Sequence, residues 1–294
     1  MKSARAHFAL LFTNLFFAIN LSAVKYLTTA KLAGPFGLNL IRVGVSALLL
    51  WLLFLLKPVT AKIAIADWQR LFLCALTGIA INQLLFLKGL SLTFPVHAAL
   101  LMLSTPILIV LINTWALKEK ATGKKISGLL LGITGASVLI LSNTGVAKRS
   151  SIITGDMLIL VNAVSYTIYF ILVKPLMLKY NAITVTRWIF TIGFFMVLPF
   201  AWGEFSQINW PAFTYTGYIS LFLLVFTGTF LAYLFNIYGI KHLGAAAAGF
   251  YIYTQPVFAT IIAMVFLDEK LQLYKIIAAA LIFTGVFLTT KKQL

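Results

Sequence analysis

Two stretches of the chain decide the fold: PILIVLINTWALKEK at residues 106–120 and PVFATIIAMVFLDEK at residues 256–270. Each begins with a proline, continues with an apolar run and ends with Glu-Lys. The match extends outward, because residues 77–140 align without a gap on residues 227–290, with about 15 identities over about 64 positions. Evenly placed prolines, glycines and charges do not follow from apolar composition. The chain therefore contains an internal repeat with an offset of about 150 residues.

The composition indicates a protein that lies in a lipid bilayer. Of the 294 residues 62% are hydrophobic and 10% are charged, and the mean hydropathy is +1.02. A soluble domain of this length does not bury so much apolar surface. Ten apolar stretches are each long enough to cross about 30 Å of hydrocarbon. They lie near residues 8–27, 38–57, 69–91, 96–117, 126–143, 155–175, 183–203, 212–241, 245–267 and 274–290.

The repeat and the spans together predict an all-α polytopic membrane protein. The first repeat covers residues 1–143, a short polar linker covers 144–154, and the second repeat covers 155–294. Each half contains five spans, an odd number, so the second half enters the bilayer from the opposite side. We therefore expect ten transmembrane helices as two inverted five-helix repeats. With the N-terminus inside, about 15 lysines and arginines are cytoplasmic and about 8 are outside, which predicts that both termini are cytoplasmic.

The spacing of the repeated residues resembles that of a known family, the drug/metabolite transporter superfamily in its ten-helix form with two EamA-type repeats. The residues that carry the resemblance are Pro106, Glu119-Lys120, Thr134-Gly135, Pro256, Glu269-Lys270 and Thr284-Gly285, together with Leu40-Ile41-Arg42 and Gly155-Asp156. The resemblance implies a secondary transporter of the bacterial inner membrane. Members of the family move amino acids, other metabolites or drugs, usually outward. We expect export of amino acids or similar metabolites. A proton-coupled multidrug or small-molecule exporter is one alternative, and a channel or scaffold is another.

Two prolines lie near the middle of matching spans, the fourth and the ninth. Pro106 follows Ser104 and Thr105, and Pro256 follows Gln255. A proline within a helix removes a backbone hydrogen bond and leaves carbonyl groups without partners. Broken helices in corresponding places of two repeats indicate a central binding site. The alternative is that each proline only bends its helix for packing.

Polar side chains that share a helix face predict the lining of this site. In the sixth span Asn162, Tyr166 and Tyr169 follow one another at helical spacing, and Tyr233 and Asn236 do so in the eighth. The predicted site is completed by Asn14, Asn82, Gln83, Lys88, Tyr251 and Gln255. Buried amides and phenols of this kind also hold helices together, so hydrogen bonding between helices remains the alternative for these residues. For Lys88, a cation that attracts a carboxylate or phosphate of the substrate, the alternative is a side chain that snorkels to the lipid headgroups.

Charged and titratable residues fall near the predicted span ends. Arg42 and Arg187 each begin a span, and we expect them to anchor it at the interface, with a role in gating as the alternative. The three histidines lie near predicted span ends, where we expect an interfacial position, with a proton relay as the alternative. The six acidic residues, including Asp156, also lie near span ends. Coupling to protons or sodium usually uses a carboxylate deep in the membrane. The sequence therefore favours facilitated flux or exchange.

Several other functional classes fit the sequence poorly. The three histidines and one cysteine are scattered, whereas a metal site needs clustered ligands. A net charge of +17 is explained by topology and lipid headgroups, so it does not indicate nucleic-acid binding. We expect no enzymatic activity, no cofactor and no metal. The expected partners are a small-molecule substrate and the lipid bilayer. We expect a monomer, with a homodimer as the alternative.

Overall fold

The computed structural model describes residues 2–56, 63–105, 107–108, 123–141, 149–236, 238–239, 242, 251–252, 254–268 and 270–290, and this part of the chain contains helices and no strand. The helices are α1 (Lys2–Thr29), α2 (Pro35–Leu56), α3 (Ile65–Leu92), α4 (Pro95–Met102), α5 (Gly123–Leu141), α6 (Arg149–Lys179), α7 (Ala182–Ser206), α8 (Tyr215–Asn236), α9 (Thr254–Phe266) and α10 (Leu273–Thr290). A short 3-10 turn at Trp210–Ala212 precedes α8.

Several helices begin at side chains that accept hydrogen bonds from their first amides. The Asn181 side chain accepts from the Ile183 amide at 2.9 Å at the start of α7, and Thr214 accepts from the Gly217 amide at the start of α8. The start of α2 is capped from another helix, because the Glu204 carboxylate of α7 accepts from the amides of α2's second and third residues. This contact joins the beginning of α2 to the end of α7.

Six of the described helices are long and apolar enough to cross a membrane: α1, α2, α3, α6, α7 and α8. Shorter apolar segments lie within α5, α9 and α10. Large apolar side chains such as Leu48, Leu55 and Phe195 point outward and are exposed, as lipid-facing residues are. The chain is therefore an integral membrane protein. The predicted count of ten spans stays a prediction.

Two apolar cores hold the helices together. In one, Leu71, Leu176 and Ile189 are buried where α3, α6 and α7 meet α2. In the other, Leu21 and Leu101 are buried where α1 and α4 pack with α9. Polar residues that lie between these helices are consequently removed from both lipid and bulk water.

The two halves contact one another at equivalent positions, which are positions separated by the repeat offset. Gly44 of α2 packs against the ring of Phe194 of α7, its equivalent position. Gly37 near the start of α2 contacts the end of α7, while Trp51 near the end of α2 contacts the first part of α7, so these two helices are antiparallel. Gly135 of α5 packs against Ile282 of α10, and Gly285 of α10, the position equivalent to Gly135, packs against Gly132 of α5.

The first helix of each half packs against the third helix of the other half. Gly78 of α3 fits under the Tyr169 ring of α6, and Gly228 of α8 fits against Asn20 of α1. Both glycines lie in π-helical turns, Leu76–Ala80 within α3 and Leu223–Leu231 within α8. A π-helical turn inside an α-helix is uncommon and often marks a functional site. The repeated Thr-Gly pair of the sequence thus corresponds to a repeated distortion of the backbone.

Candidate substrate-binding site

Four polar residues come together between α3, α6 and α8, and we call them the central cluster: Gln83, Tyr166, Tyr169 and Tyr233. The rings of Tyr166 and Tyr169 are stacked, with centroids 5.9 Å apart and planes 20° apart. Tyr233 lies close enough to both phenols to interact with them electrostatically, and the Gln83 amide lies beside it. The structure therefore brings these four predicted site residues together.

The central cluster lies where the two halves meet. Gln83 and Tyr233 occupy equivalent positions of α3 and α8, and they are neighbours. Residues at equivalent positions can touch only near the axis that relates the halves. Tyr233 is further enclosed by Phe190 of α7 and Phe17 of α1, which both meet its ring edge to face. The cluster combines aromatic surface with phenol and amide groups, which suits a small amphipathic molecule.

Arg42 is a residue of this region that the sequence reading assigned to the interface, and that reading is wrong. Its side chain is only 5% exposed, and its Nε donates to the Thr229 hydroxyl of α8 at 2.7 Å. It also lies within electrostatic range of Tyr233. Arg42 is two residues from Gly44, which is about 3 Å along the helix axis, so it lies at the level where the halves meet.

A polar stripe on α2 is the signal that could have identified Arg42 from the sequence. Asn39, Arg42 and Ser46 follow the i, i+3, i+7 spacing of one helix face, within an otherwise apolar helix. All three are buried, and each has a polar atom without a hydrogen-bond partner within the described chain.

Asn82 and Asn162 hold α3 and α6 together. The side-chain amide of Asn162 donates to the backbone carbonyl oxygen of Asn82 at 2.7 Å, and the side-chain amide of Asn82 donates to the backbone carbonyl oxygen of Asn162 at 3.4 Å. One turn further along α6, the Ser165 hydroxyl donates to the carbonyl oxygen of Thr77 in the π-helical turn. These bonds favour the helix-packing alternative for the two asparagines.

Other predicted site residues lie apart from the central cluster. The Tyr251 hydroxyl is 2.8 Å from Nδ1 of His7, near the start of α1. Phe17, which contacts the cluster, is ten residues further along α1, or about 15 Å. Asn14 is buried on α1 and donates to the Leu10 carbonyl oxygen.

The remaining predicted residues stay predictions. Lys88 is half-buried five residues beyond Gln83 on α3, and Asn236 is half-buried one turn beyond Tyr233 on α8. Gln255 and Pro256 are buried at the start of α9. Ser104 and Thr105 lie after α4, and Thr105 is buried; Pro106 lies outside the described residues.

A second buried polar group, which we call the outer cluster, consists of Thr93, His97, Asp156 and Tyr274. Asp156 and His97 are both 0% exposed, and Nδ1 of His97 lies 3.1 Å from Oδ2 of Asp156. The Thr93 hydroxyl donates to the other carboxylate oxygen, and Nε2 of His97 lies 3.3 Å from the Tyr274 hydroxyl. Four side chains, one directly after α3 and one each from α4, α6 and α10, thus form one hydrogen-bonded network. The expectation that His97 faces the interface is wrong.

A recess beside the outer cluster is lined by basic side chains. It has a volume of about 570 Å³ and is lined by Lys25, Phe94, Lys270 and Lys275, among others. The Lys25 ammonium donates to the Thr93 carbonyl oxygen at 2.5 Å, and the Lys275 ammonium lies 4.9 Å from the centre of the Phe94 ring. The lysines therefore also contribute to the packing of this end of the bundle.

Buried polar clusters at the meeting point of two related helical halves are typical of membrane carriers. The chain belongs to the EamA-like transporter family, whose sequence profile matches residues 4–141 and again residues 153–291. The expected resemblance is thereby confirmed.

Proteins of similar sequence align with most of the chain. An uncharacterized transporter of Archaeoglobus fulgidus is 27% identical over 99% of both chains. The uncharacterized transporter YetK of Bacillus subtilis is 26% identical over 84% of this chain and 76% of its own. A Streptantibioticus cattleyicolor protein named "Probable terminal-alkyne amino-acid exporter" is 26% identical over 78% of this chain and 75% of its own.

The fold also has a counterpart among solved structures. A crystal structure of another protein superposes with a TM-score of 0.65 and 20% identity, and the match covers 100% of this chain and 99% of that chain. At this identity the similarity supports the fold alone.

Proposed function

We propose that the chain exports amino acids or similar small metabolites across the plasma membrane by alternating access around the central cluster. Family membership establishes a transporter. The amino-acid class is suggested by the name of the Streptantibioticus cattleyicolor relative. The observation that carries the proposal is the contact between Gln83 and Tyr233, because it puts polar groups from equivalent positions on the boundary between the halves.

The proposed architecture is ten spans in two inverted repeats, residues 1–143 and 155–294, joined by residues 144–154, with both termini cytoplasmic. The antiparallel contact of α2 with α7 supports it. A two-fold axis parallel to the helices would relate helices that run in the same direction. A two-fold axis perpendicular to the helices, in the membrane plane, relates helices that run in opposite directions. Gly44 and Phe194 meet at equivalent positions of such an antiparallel pair. An axis in the membrane plane is the arrangement from which alternating access follows.

The π-helical turns are the proposed deformable points of the transport cycle. Each lies next to the contact between a third helix and the first helix of the other half, at Gly78 with Tyr169 and at Gly228 with Asn20. Small changes in these turns would shift the halves relative to one another. Pro106 and Pro256 remain additional candidates for this role.

Reconstitution in liposomes tests the proposed function. Labelled amino acids should show saturable flux and stimulation by unlabelled substrate on the opposite side. Alanine at Tyr233 should remove most of the flux while the protein still folds. Tyr215→Ala on the same helix is the matched control, since Tyr215 is 82% exposed and should tolerate the change. Flux that rises linearly with concentration would indicate a channel, and unchanged flux in Tyr233→Ala would place the site elsewhere.

Proton-coupled export is the second candidate, and one observation favours it. Asp156 and His97 form a fully buried carboxylate–imidazole pair, a combination that proton-coupled transporters use. The sequence favoured uncoupled flux because all six acidic residues are predicted near span ends and none at mid-membrane. An imposed pH gradient distinguishes the two. Uphill accumulation that is lost in Asp156→Asn would support coupling, whereas equilibration to the substrate's own gradient in both proteins would support facilitated flux or exchange.

A further inference from the structure

Arg42 is a buried cation with no carboxylate beside it among the described residues. The described acidic side chains all lie elsewhere. Asp67 is at the beginning of α3, Asp156 is in the outer cluster, Glu204 of α7 accepts from the first amides of α2, and Asp268 is exposed after α9. Burying an unpaired charge is costly, and an unpaired cation in a transporter interior is a candidate for binding a ligand.

The hydrogen-bonding capacity of Arg42 is only partly used. Its Nε donates to Thr229, but one terminal nitrogen of the guanidinium is buried and has no acceptor in the described chain. The polar atoms of Asn39 and Ser46 on the same face of α2 are also buried without partners. A buried donor without an acceptor is destabilising, so an occupant that accepts hydrogen bonds is favoured here.

Gln83 extends this set of donors from a different helix. It is 2% exposed, and its amide atoms form no hydrogen bond of ordinary length and angle among the described residues, although the amide lies within hydrogen-bonding reach of the Tyr233 phenol. Arg42 is within electrostatic range of the same phenol. Tyr233 therefore connects the two residues, and their unused donors belong to one region at the boundary between the halves.

The single charge of Arg42 indicates what kind of anion fits. A carboxylate neutralises one guanidinium and can accept two parallel hydrogen bonds from it. A phosphate dianion would leave a net negative charge in a buried region, which is unfavourable. The neighbouring stacked tyrosines offer an apolar and aromatic surface for the rest of the molecule.

We propose that Arg42 and Gln83 bind the carboxylate of the transported substrate, while the tyrosines of the central cluster contact its side chain. This inference rests on the proposed function and narrows the substrate to small molecules that carry a carboxylate. Arg42 thereby becomes a specificity-determining residue.

Binding of matched acid and amide pairs tests this subsite. The purified protein is screened by thermal shift with the common amino acids and with their carboxamides, which keep the side chain and lose the carboxylate. The best acid should bind about 10- to 100-fold more tightly than its amide, as expected for a hydrogen bond to a charged group. In Arg42→Gln the acid should lose that advantage, while binding of the amide changes little. Arg42→Lys should retain part of it.

Arg187→Gln is the matched control. Arg187 is also buried, on the helix paired with α2, so the expectation that it anchors at the interface is wrong as well. Its Nε and one terminal nitrogen have no hydrogen-bond partner among the described residues, but its guanidinium stacks on Phe54 at 3.6 Å and lies over Trp51, whereas Arg42 lies beside the phenol of Tyr233. This control should keep the full preference for the acid. Preserved preference in Arg42→Gln, or a wild-type protein that binds acid and amide equally, would overturn the subsite.

Flux measurements with the same pairs separate the two levels of the proposal. Saturable flux of both acid and amide in wild type and Arg42→Gln would keep the transporter and remove the carboxylate subsite. The absence of saturable flux for every pair would contradict the proposed function and the subsite together. Acid-selective flux that Arg42→Gln abolishes, with the unfolding temperature preserved, would support both.

Discussion

The central and outer clusters are both buried and polar, but they differ in how their hydrogen bonds are satisfied. In the outer cluster Asp156 accepts from Thr93 and lies beside His97, which in turn reaches Tyr274. In the central region Arg42 and Gln83 keep atoms without partners. A satisfied network rigidifies a structure, whereas an unsatisfied one leaves donors for a ligand. In the proposed function, the first region stabilises the fold and the second binds the substrate.

Removal of the carboxylate at the outer cluster should have the largest effect on stability. Asp156→Ala leaves the buried groups of Thr93 and His97 without their partner, and we expect a loss of about 3–5 kcal/mol, as for other broken buried pairs. Thermal unfolding in detergent measures it. Asp67→Ala is the control, because Asp67 pairs with the exposed Lys179 and accepts from the Tyr180 hydroxyl at the surface, so its removal should lower the unfolding temperature much less. An equal loss in both variants would remove the distinction between the clusters.

Replacement of Arg42 should stabilise the protein, whereas replacement of Asp156 should destabilise it. Arg42→Met removes an unpaired buried charge, and Thr229 still donates to the Leu224 carbonyl oxygen at 2.9 Å, so no new unpaired group is created. We expect the protein without substrate to gain about 1–4 kcal/mol while it loses transport. Unfolding temperature and flux, measured on the same preparation, check this. A marked destabilisation would assign Arg42 to the fold instead of the site.

The glycines of the π-helical turns should be sensitive to a single methyl group. A Cβ at Gly78 would overlap the Tyr169 ring, which is already stacked on Tyr166. Gly78→Ala should therefore cost about 1–3 kcal/mol and reduce turnover. Gly203→Ala on α7 is the control, because nothing lies within 4 Å of the added carbon. Normal turnover in Gly78→Ala would exclude this turn as a point of movement.

The asparagine pair between α3 and α6 should give the smallest effect. Asn162→Ala removes the hydrogen bond from the Asn162 side chain to the Asn82 backbone carbonyl oxygen, whereas the Asn82 side chain can still donate to the backbone carbonyl oxygen of residue 162. We expect a loss of about 1 kcal/mol with flux retained once the protein has folded. Urea-dependent unfolding and liposome flux provide the two readings. Lost flux with unchanged stability would indicate that the asparagines contact the substrate and do not only hold the helices together.

The sequence predicted what depends on one helix or on the repeat itself. The spacing of Tyr166 and Tyr169 put them on one face of α6, and the structure stacks them. Asp156 and His97 are 59 residues apart and lie on different helices. Periodicity within one helix contains no information on which residue of another helix will contact it. Arg42 was misplaced because its distance from the start of the apolar stretch suggested an interface.

Alternating access to the central cluster is the claim on which the account depends. The chain has a single cysteine, Cys74, so Gln83→Cys in a Cys74→Ser background gives one reactive position. A membrane-impermeant thiol reagent is applied to right-side-out and to inside-out vesicles, with Ser150→Cys at the start of α6 and Asn181→Cys between α6 and α7 as reference positions.

The measurement is the rate at which the cysteine at position 83 reacts from each side. The account predicts reaction from both sides, slowed by the transported amino acid, while position 150 reacts only from outside and position 181 only from inside. Reaction at position 83 from a single side, unaffected by substrate, would contradict alternating access at this site.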